Sequence, residues 1–170
     1  MEGVIAGQRI GVVDTGLNPW HSHVRGNVAG CRMYLGADGR VHEDGDFRDL
    51  AGHGTAVAGI LREAFPDAEI FAVRVFGEDG ATYPSLVARG ILRAAAEQCS
   101  FVNLSLCVAP GPGDDVLRAA CAAALDAVCV LGGGSSATPG GDAQLGPAGD
   151  RLIVPARFFL AGKTRHLVTS

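Results

Sequence analysis

The sequence predicts an α/β protein built on a doubly wound, mostly parallel sheet with helices on both faces. Short apolar runs alternate with longer runs at helical spacing, the pattern of parallel strands joined by crossover helices. Each apolar run is closed by Gly, Pro or polar residues and is short enough to be an interior strand. The apolar share of 48% supplies a substantial core for a chain of 170 residues, and a single domain over 1–170 is expected.

The elements follow in order. Arg9 to Asp14 reads as a first buried strand, ended by Thr15-Gly16. Ala37 to Ala51 is polar, acidic and Gly-containing, and reads as a surface loop. His53 to Ala64 carries Val57, Ile60 and Leu61 at helical spacing, and Pro66 stops the run. Glu69 to Phe76 is the next strand. Pro84 to Gln98 places Pro near a helix start and sets Leu86, Val87, Gly90, Ile91 and Ala94 along one face. Phe101 to Leu106 is a further strand, and Asp114 to Leu125 opens a helix with two carboxylates at its positive end. Ala127 to Leu131 is the fourth strand. Ser135 to Gly149 reads as a Gly- and Pro-rich loop, and Leu152 to Val154 and Phe158 to Leu160 as closing strands.

Composition excludes several function classes. The formal charge of −4 is spread along the chain with no basic run to track a phosphate backbone, so nucleic acid is not an expected partner. The longest apolar runs, such as Val128 to Leu131, are far too short to cross a bilayer. Met1 to Gln8 lacks the basic start and long apolar stretch of a secretory signal, which makes a cytoplasmic protein the expectation. The five cysteines form an odd set without CxxC spacing; Cys99, Cys107, Cys121 and Cys129 sit in apolar or Ala-rich segments and read as buried thiols. Asp44, Asp46 and Asp49 read as a solvated acidic loop, and His21 and His23 as surface residues. No metal and no cofactor are expected.

Two segments carry chemistry. In IGVVDTG, Asp14 ends an apolar run before a Gly turn, which puts its carboxylate at the carboxyl edge of a strand, where open α/β sheets place ligands. Asp14 could equally cap or turn the chain there. In GHGTAVAGIL, Gly52, Gly54 and Gly59 surround His53 at a helix start, where small residues let the backbone pack closely and the imidazole project from the helix end. A neutral imidazole is the natural general base near neutral pH, and a buried carboxylate on its other nitrogen would set the tautomer. Asp14 and His53 are the expected pair.

VVDTG followed by GHGTAVAGIL resembles the Asp and His signatures of the subtilisin-like serine proteases, the subtilases, in the chain order of that class. The resemblance implies a subtilisin-like fold, with Asp14 and His53 as two members of a catalytic triad and a peptide as substrate. FVNLSL is similar to the family's strand beside the bound peptide, which implies substrate contacts at Ser105, Leu106 and Cys107; Cys107 stands where the family has Gly. AVCVLGGGSS occupies the place of the family's Ala-Ala-Gly-Asn, implying contacts at Gly132, Gly133 and Gly134 and putting Ser135 at the oxyanion-hole position. Losing the Asn donor typically costs ~10²–10³ in rate. GPAGDRLIVPA resembles the family segment that follows.

The final part of the family domain, with its Gly-Thr-Ser nucleophile segment, has no counterpart in these residues. Thr169 and Ser170 imitate the Thr-Ser pair, but Val168 replaces the Gly, which makes Ser170 a weak nucleophile candidate. The expectation is a noncanonical or inactive peptidase homologue that binds a peptide or a protein. The alternatives are a peptide-processing or peptide-modifying enzyme using His53 as general base, or half of a split serine protease completed by another chain or by a second copy in a homo-oligomer.

Overall fold

A computed structural model describes residues 8–108, 112–126, 130–132 and 152–153. The sheet is organised around β1 (Arg9–Asp14), buried from Ile10 onward, as the unbroken apolar run of a central parallel strand requires. β4 (Glu69–Arg74) pairs parallel to it on one side and β5 (Phe101–Asn103) on the other. Beyond β4 lies β2 (Val28–Leu35), parallel, and then β3 (Val41–Asp44), antiparallel; beyond β5 lies β7 (Val130–Gly132), parallel. The order β3-β2-β4-β1-β5-β7 makes a mostly parallel sheet, as expected. β6 (Cys107–Val108) and β8 (Leu152–Ile153) form a separate antiparallel pair.

Helices cover both faces because adjacent residues of each strand point to opposite sides. Val13, Phe71, Val73 and Val102 face α2 (Pro84–Ala96) and α3 (Asp114–Asp126) in one core, joined by Leu86, Val87, Ile91, Leu117 and Ala124. Val12, Ile70 and Ala72 face α1 (His53–Ala64) in the other, with Leu17, Val24 and Ala58. Each buried Val or Leu side chain contributes about 1.5–3 kcal/mol of transfer free energy.

Several boundaries differ from the sequence expectation. Residues 37–51 are not a loop throughout: β3 pairs with β2 across a tight turn closed by Gly36 N–H to Arg40 O at 2.9 Å, with Tyr34 stacked on His42 and Arg32 paired with Asp44. Cross-strand pairs of polar and aromatic side chains stabilise this edge, so apolar alternation does not announce it. α1 buries Gly54, Thr55 and Ala58 fully and packs the expected Val57 and Leu61 partly buried against the core, while Ile60 is exposed. α2 stops before Gln98, whose φ of 58° is left-handed.

β4 ends at Arg74, where its partner β1 ends at Asp14. β5 ends at Asn103, whose side-chain amide donates to Ser105 Oγ at 2.8 Å, a local bond that competes with the ladder. β7 covers Val130–Gly132, one residue past the expected Leu131, and residues 127–129 of that expected strand lie outside the described residues. β8 falls within the first expected closing strand; the second, Phe158 to Leu160, and the loop Ser135 to Gly149 lie outside the described residues.

Among the described residues Cys31, Cys99 and Cys121 are buried and in no disulfide. Burial pushes the Cys31 thiol up to about 12 and the Cys121 thiol up to about 11. Both are expected to resist iodoacetamide at about pH 8 in the native protein and to react on denaturation. Peptide mapping by mass checks this, and equal alkylation in the two states would contradict the burial of both thiols in the core that β2, α2 and α3 share.

Candidate active site

β1 lies inside the sheet between β4 and β5, so Asp14 at its end stands at the carboxyl edge, the side where open α/β sheets bind ligands. The residue is 1% exposed. Its Oδ1 accepts from Thr15 N–H at 2.6 Å and lies 2.8 Å from His53 Nδ1. An ionised carboxylate only accepts, so Nδ1 carries the proton and the lone pair of the neutral imidazole is on Nε2. The His53 side chain is 50% exposed, and Asp14 is its one side-chain hydrogen-bond partner among the described residues. A buried carboxylate thus holds an imidazole that is open to solvent. The other Asp14 oxygen, Oδ2, is buried without a partner among the described residues.

His53 is the first residue of α1. Its neighbours let the helix start touch the end of β1 backbone to backbone: a Cβ on Gly54 would lie 2.1 Å from Gly16 O. Gly16 in turn has a φ of +115°, and a Cβ there would meet Phe47 O and Arg48 O at 2.7 Å. Gly59 does not share this role, since a Cβ there would make only an ordinary contact with His23.

Asp49 is not the solvated loop residue expected of it. It is 7% exposed and its carboxylate accepts five hydrogen bonds. Oδ1 takes Thr15 Oγ1 at 2.9 Å, Ala51 N–H at 3.0 Å and Gly52 N–H at 2.7 Å; Oδ2 takes Thr55 N–H at 2.9 Å and Thr55 Oγ1 at 2.6 Å. Gly52, the N-cap of α1, has no side chain to cap with, and Asp49 supplies the missing acceptor. A carboxylate three residues before a glycine cap was the signal available in the sequence. Burial pushes the Asp49 carboxyl up, but the donors from Thr55, Gly52 and Thr15 outweigh it and hold the group below the ordinary carboxylate range. The other two acids of this stretch are paired on the surface, Asp44 with Arg32 and Asp46 with Arg48.

The expected substrate-binding segment reaches the same edge. Val12 pairs with Asn103 and Asn103 with Gly132, so Ser105, two residues past Asn103, continues from the strand end beside Asp14, two residues past Val12. Ser105 is half-buried and Leu106 buried; Cys107 belongs to β6, paired with Ile153. Gly132 ends β7, while Gly133, Gly134, Ser135 and Ser170 lie outside the described residues. His21 and His23 are exposed and contact each other edge to face.

The sequence model of the subtilase family, Peptidase_S8, matches residues 6–145. The chain is 32% identical over 112 residues to a subtilisin of Bacillus sp. (strain TA39), a match covering 60% of this chain and 26% of that one. It is 32% identical over 111 residues to thermitase of Thermoactinomyces vulgaris, covering 59% of this chain and 38% of that one. Among solved structures, the epidermin leader peptide processing serine protease of Staphylococcus aureus superposes with a TM-score of 0.62 at 22% identity, over 75% of this chain and 37% of that one. A cold adapted subtilisin-like serine proteinase gives 0.58 at 24% identity, over 75% and 45%. These structural likenesses show the fold. The chain spans well under half the length of the relatives it matches.

Two predictions follow from the geometry. Gly54→Ala drives a methyl group into Gly16 O and is expected to destabilise the protein by about 3 kcal/mol, read from urea melts; a loss within experimental error would contradict the backbone contact. Because the folded pKa of Asp49 is depressed, its contribution to stability is complete above the unfolded carboxylate value near 4 and is lost as pH falls through the lower folded value. Asp49→Asn should therefore lose less stability than the parent protein between about pH 5 and pH 3, measured by denaturant titration at each pH.

Proposed function

The chain belongs to the subtilase family, and from that premise we propose that it is a subtilisin-like serine protease homologue that binds peptide, with Asp14 and His53 as its acid-base pair. The observation that carries this reading is the 2.8 Å contact between a buried carboxylate and a half-exposed imidazole at the carboxyl edge of the sheet. With Nδ1 held by Asp14, Nε2 takes a proton from an attacking hydroxyl, and the carboxylate stabilises the imidazolium that forms. Peptide lies along Ser105 to Cys107 and Gly132 to Gly134, a reading supported by the register that brings β5 and β7 to this edge.

Ser135 stands at the place of the oxyanion-hole Asn. That difference supports a noncanonical or inactive peptidase, since losing the Asn donor typically costs ~10²–10³ in rate. The intact Asp14–His53 contact favours a second reading, a hydrolase whose hydroxyl comes from sequence beyond these residues, from a complementing chain or from a second copy. A cytoplasmic setting remains part of the proposal, supported by the buried Cys31, Cys99 and Cys121, none of which is in a disulfide.

Incubation of the 170-residue chain with a fluorophosphonate, followed by intact mass, tests whether a hydroxyl within these residues is activated by His53. No adduct is expected. An adduct that His53→Ala abolishes would overturn the non-hydrolytic reading and favour the hydrolase, with Ser135→Ala and Ser170→Ala assigning the hydroxyl.

A further inference from the structure

The residue that follows Asp14 is bonded directly to the residue that follows His53: Thr15 Oγ1 accepts from Gly54 N–H at 2.9 Å. A hydroxyl has a single proton, and that of Thr15 goes to Asp49 Oδ1 at 2.9 Å. Asp49 therefore sets the direction of the hydroxyl and turns a lone pair toward Gly54. The same logic holds on the helix side, where Thr55 Oγ1 gives its proton to Asp49 Oδ2 at 2.6 Å and accepts from Asn18 N–H at 3.2 Å. Asn18 closes the frame, its amide donating to Asp49 O and its carbonyl accepting from Asp49 N–H, both at 3.3 Å. One buried carboxylate thus ties the end of β1, the loop after it and the first turn of α1 into a single unit.

The geometry points to Asp49 as a positioning residue that, through Thr15 and Thr55, holds the Asp14–His53 pair at hydrogen-bonding distance. This inference rests on the reading of Asp14 and His53 as the acid-base pair. Asp49 touches neither side chain, so its effect passes through the backbone that carries them. An uncapped α1 with a free Thr15 hydroxyl would let Gly54 and the adjacent imidazole move relative to Asp14, and displacements smaller than a bond length are enough to weaken a preorganised site.

Three substitutions test it. Asp49→Asn keeps shape but places an amide N–H against either the three donors of Oδ1 or the two of Oδ2. Thr15→Val removes the bridging hydroxyl without changing charge or size, and Thr15→Ser restores it. The readout is the tautomer of neutral His53, from the nitrogen shifts of the ¹⁵N-histidine-labelled chain, with folding followed by circular dichroism. In the parent protein His53 is expected as the Nδ1–H tautomer, with a slowly exchanging Nδ1 proton.

Thr15→Val and Asp49→Asn should shift His53 toward the Nε2–H form and lose the protected proton, while Thr15→Ser keeps both. If the folded variants melt at lower temperature with the tautomer unchanged, Asp49 is only a helix cap and the inference falls. Should Asp49→Asn fail to fold, Thr15→Val decides by itself. A parent His53 whose tautomer does not respond to Asp14→Asn would overturn the pair itself, a result distinct from failure of the positioning role.

Discussion

The constraint on which this site depends is the contact between the backbone at the end of β1 and the backbone at the start of α1. Gly54 sits so close to Gly16 O that a Cβ would lie 2.1 Å from it. That approach brings the strand residue Asp14 and the helix residue His53 within 2.8 Å although they are far apart in sequence. Neither side chain is long enough to bridge a wider gap at that geometry. The glycines therefore act on the Asp14–His53 contact through distance, by removing the atoms that would hold strand and helix apart.

Such closeness brings two sets of backbone groups out of water together, and they need partners. The N-terminus of a helix presents donors that have no intrahelical acceptor, and Gly52 cannot supply one. Asp49 meets that need with one charged group shared among five donors, a favourable arrangement because charge-assisted bonds are stronger than neutral ones in a buried setting. The helix dipole and the carboxylate also attract each other. Stability and positioning are then properties of the same cluster.

The opposite edge of the sheet is used differently. Arg9, at the start of β1, pairs with Glu69 at the start of β4 and with Glu97 just past α2, and Glu97 also pairs with Arg93. These groups are partly exposed, so each pair contributes little, about 0–1 kcal/mol. Most of the stabilisation comes from the two apolar cores on either face of the sheet. With those cores holding β1, the carboxyl edge is free to carry polar groups such as Asp14 and Asp49.

The parallel-sheet class, the three helices and the Asp14–His53 pair were legible in the sequence because each leaves a local mark: an apolar run, a helical period, or a histidine ringed by glycines. Strand β3 left no such mark, and β2, whose alternating Cys31 and Met33 are buried, was not among the strands read from the sequence. Their pairing depends on cross-strand contacts such as Tyr34 with His42 and Arg32 with Asp44, which exist only once the turn at Gly36 to Arg40 has formed. Asp49 was read as one acid among three in a polar loop, and its single local mark, a place three residues before the glycine that caps α1, does not reveal its burial. By itself the sequence determined which residues could do chemistry, since side-chain type and period are local properties. Only the tertiary structure decided that Asp49 lies against that pair's supports, because Thr15 from the end of a strand and Thr55 from the first turn of a helix join the loop donors Ala51 and Gly52 only once folding brings them together.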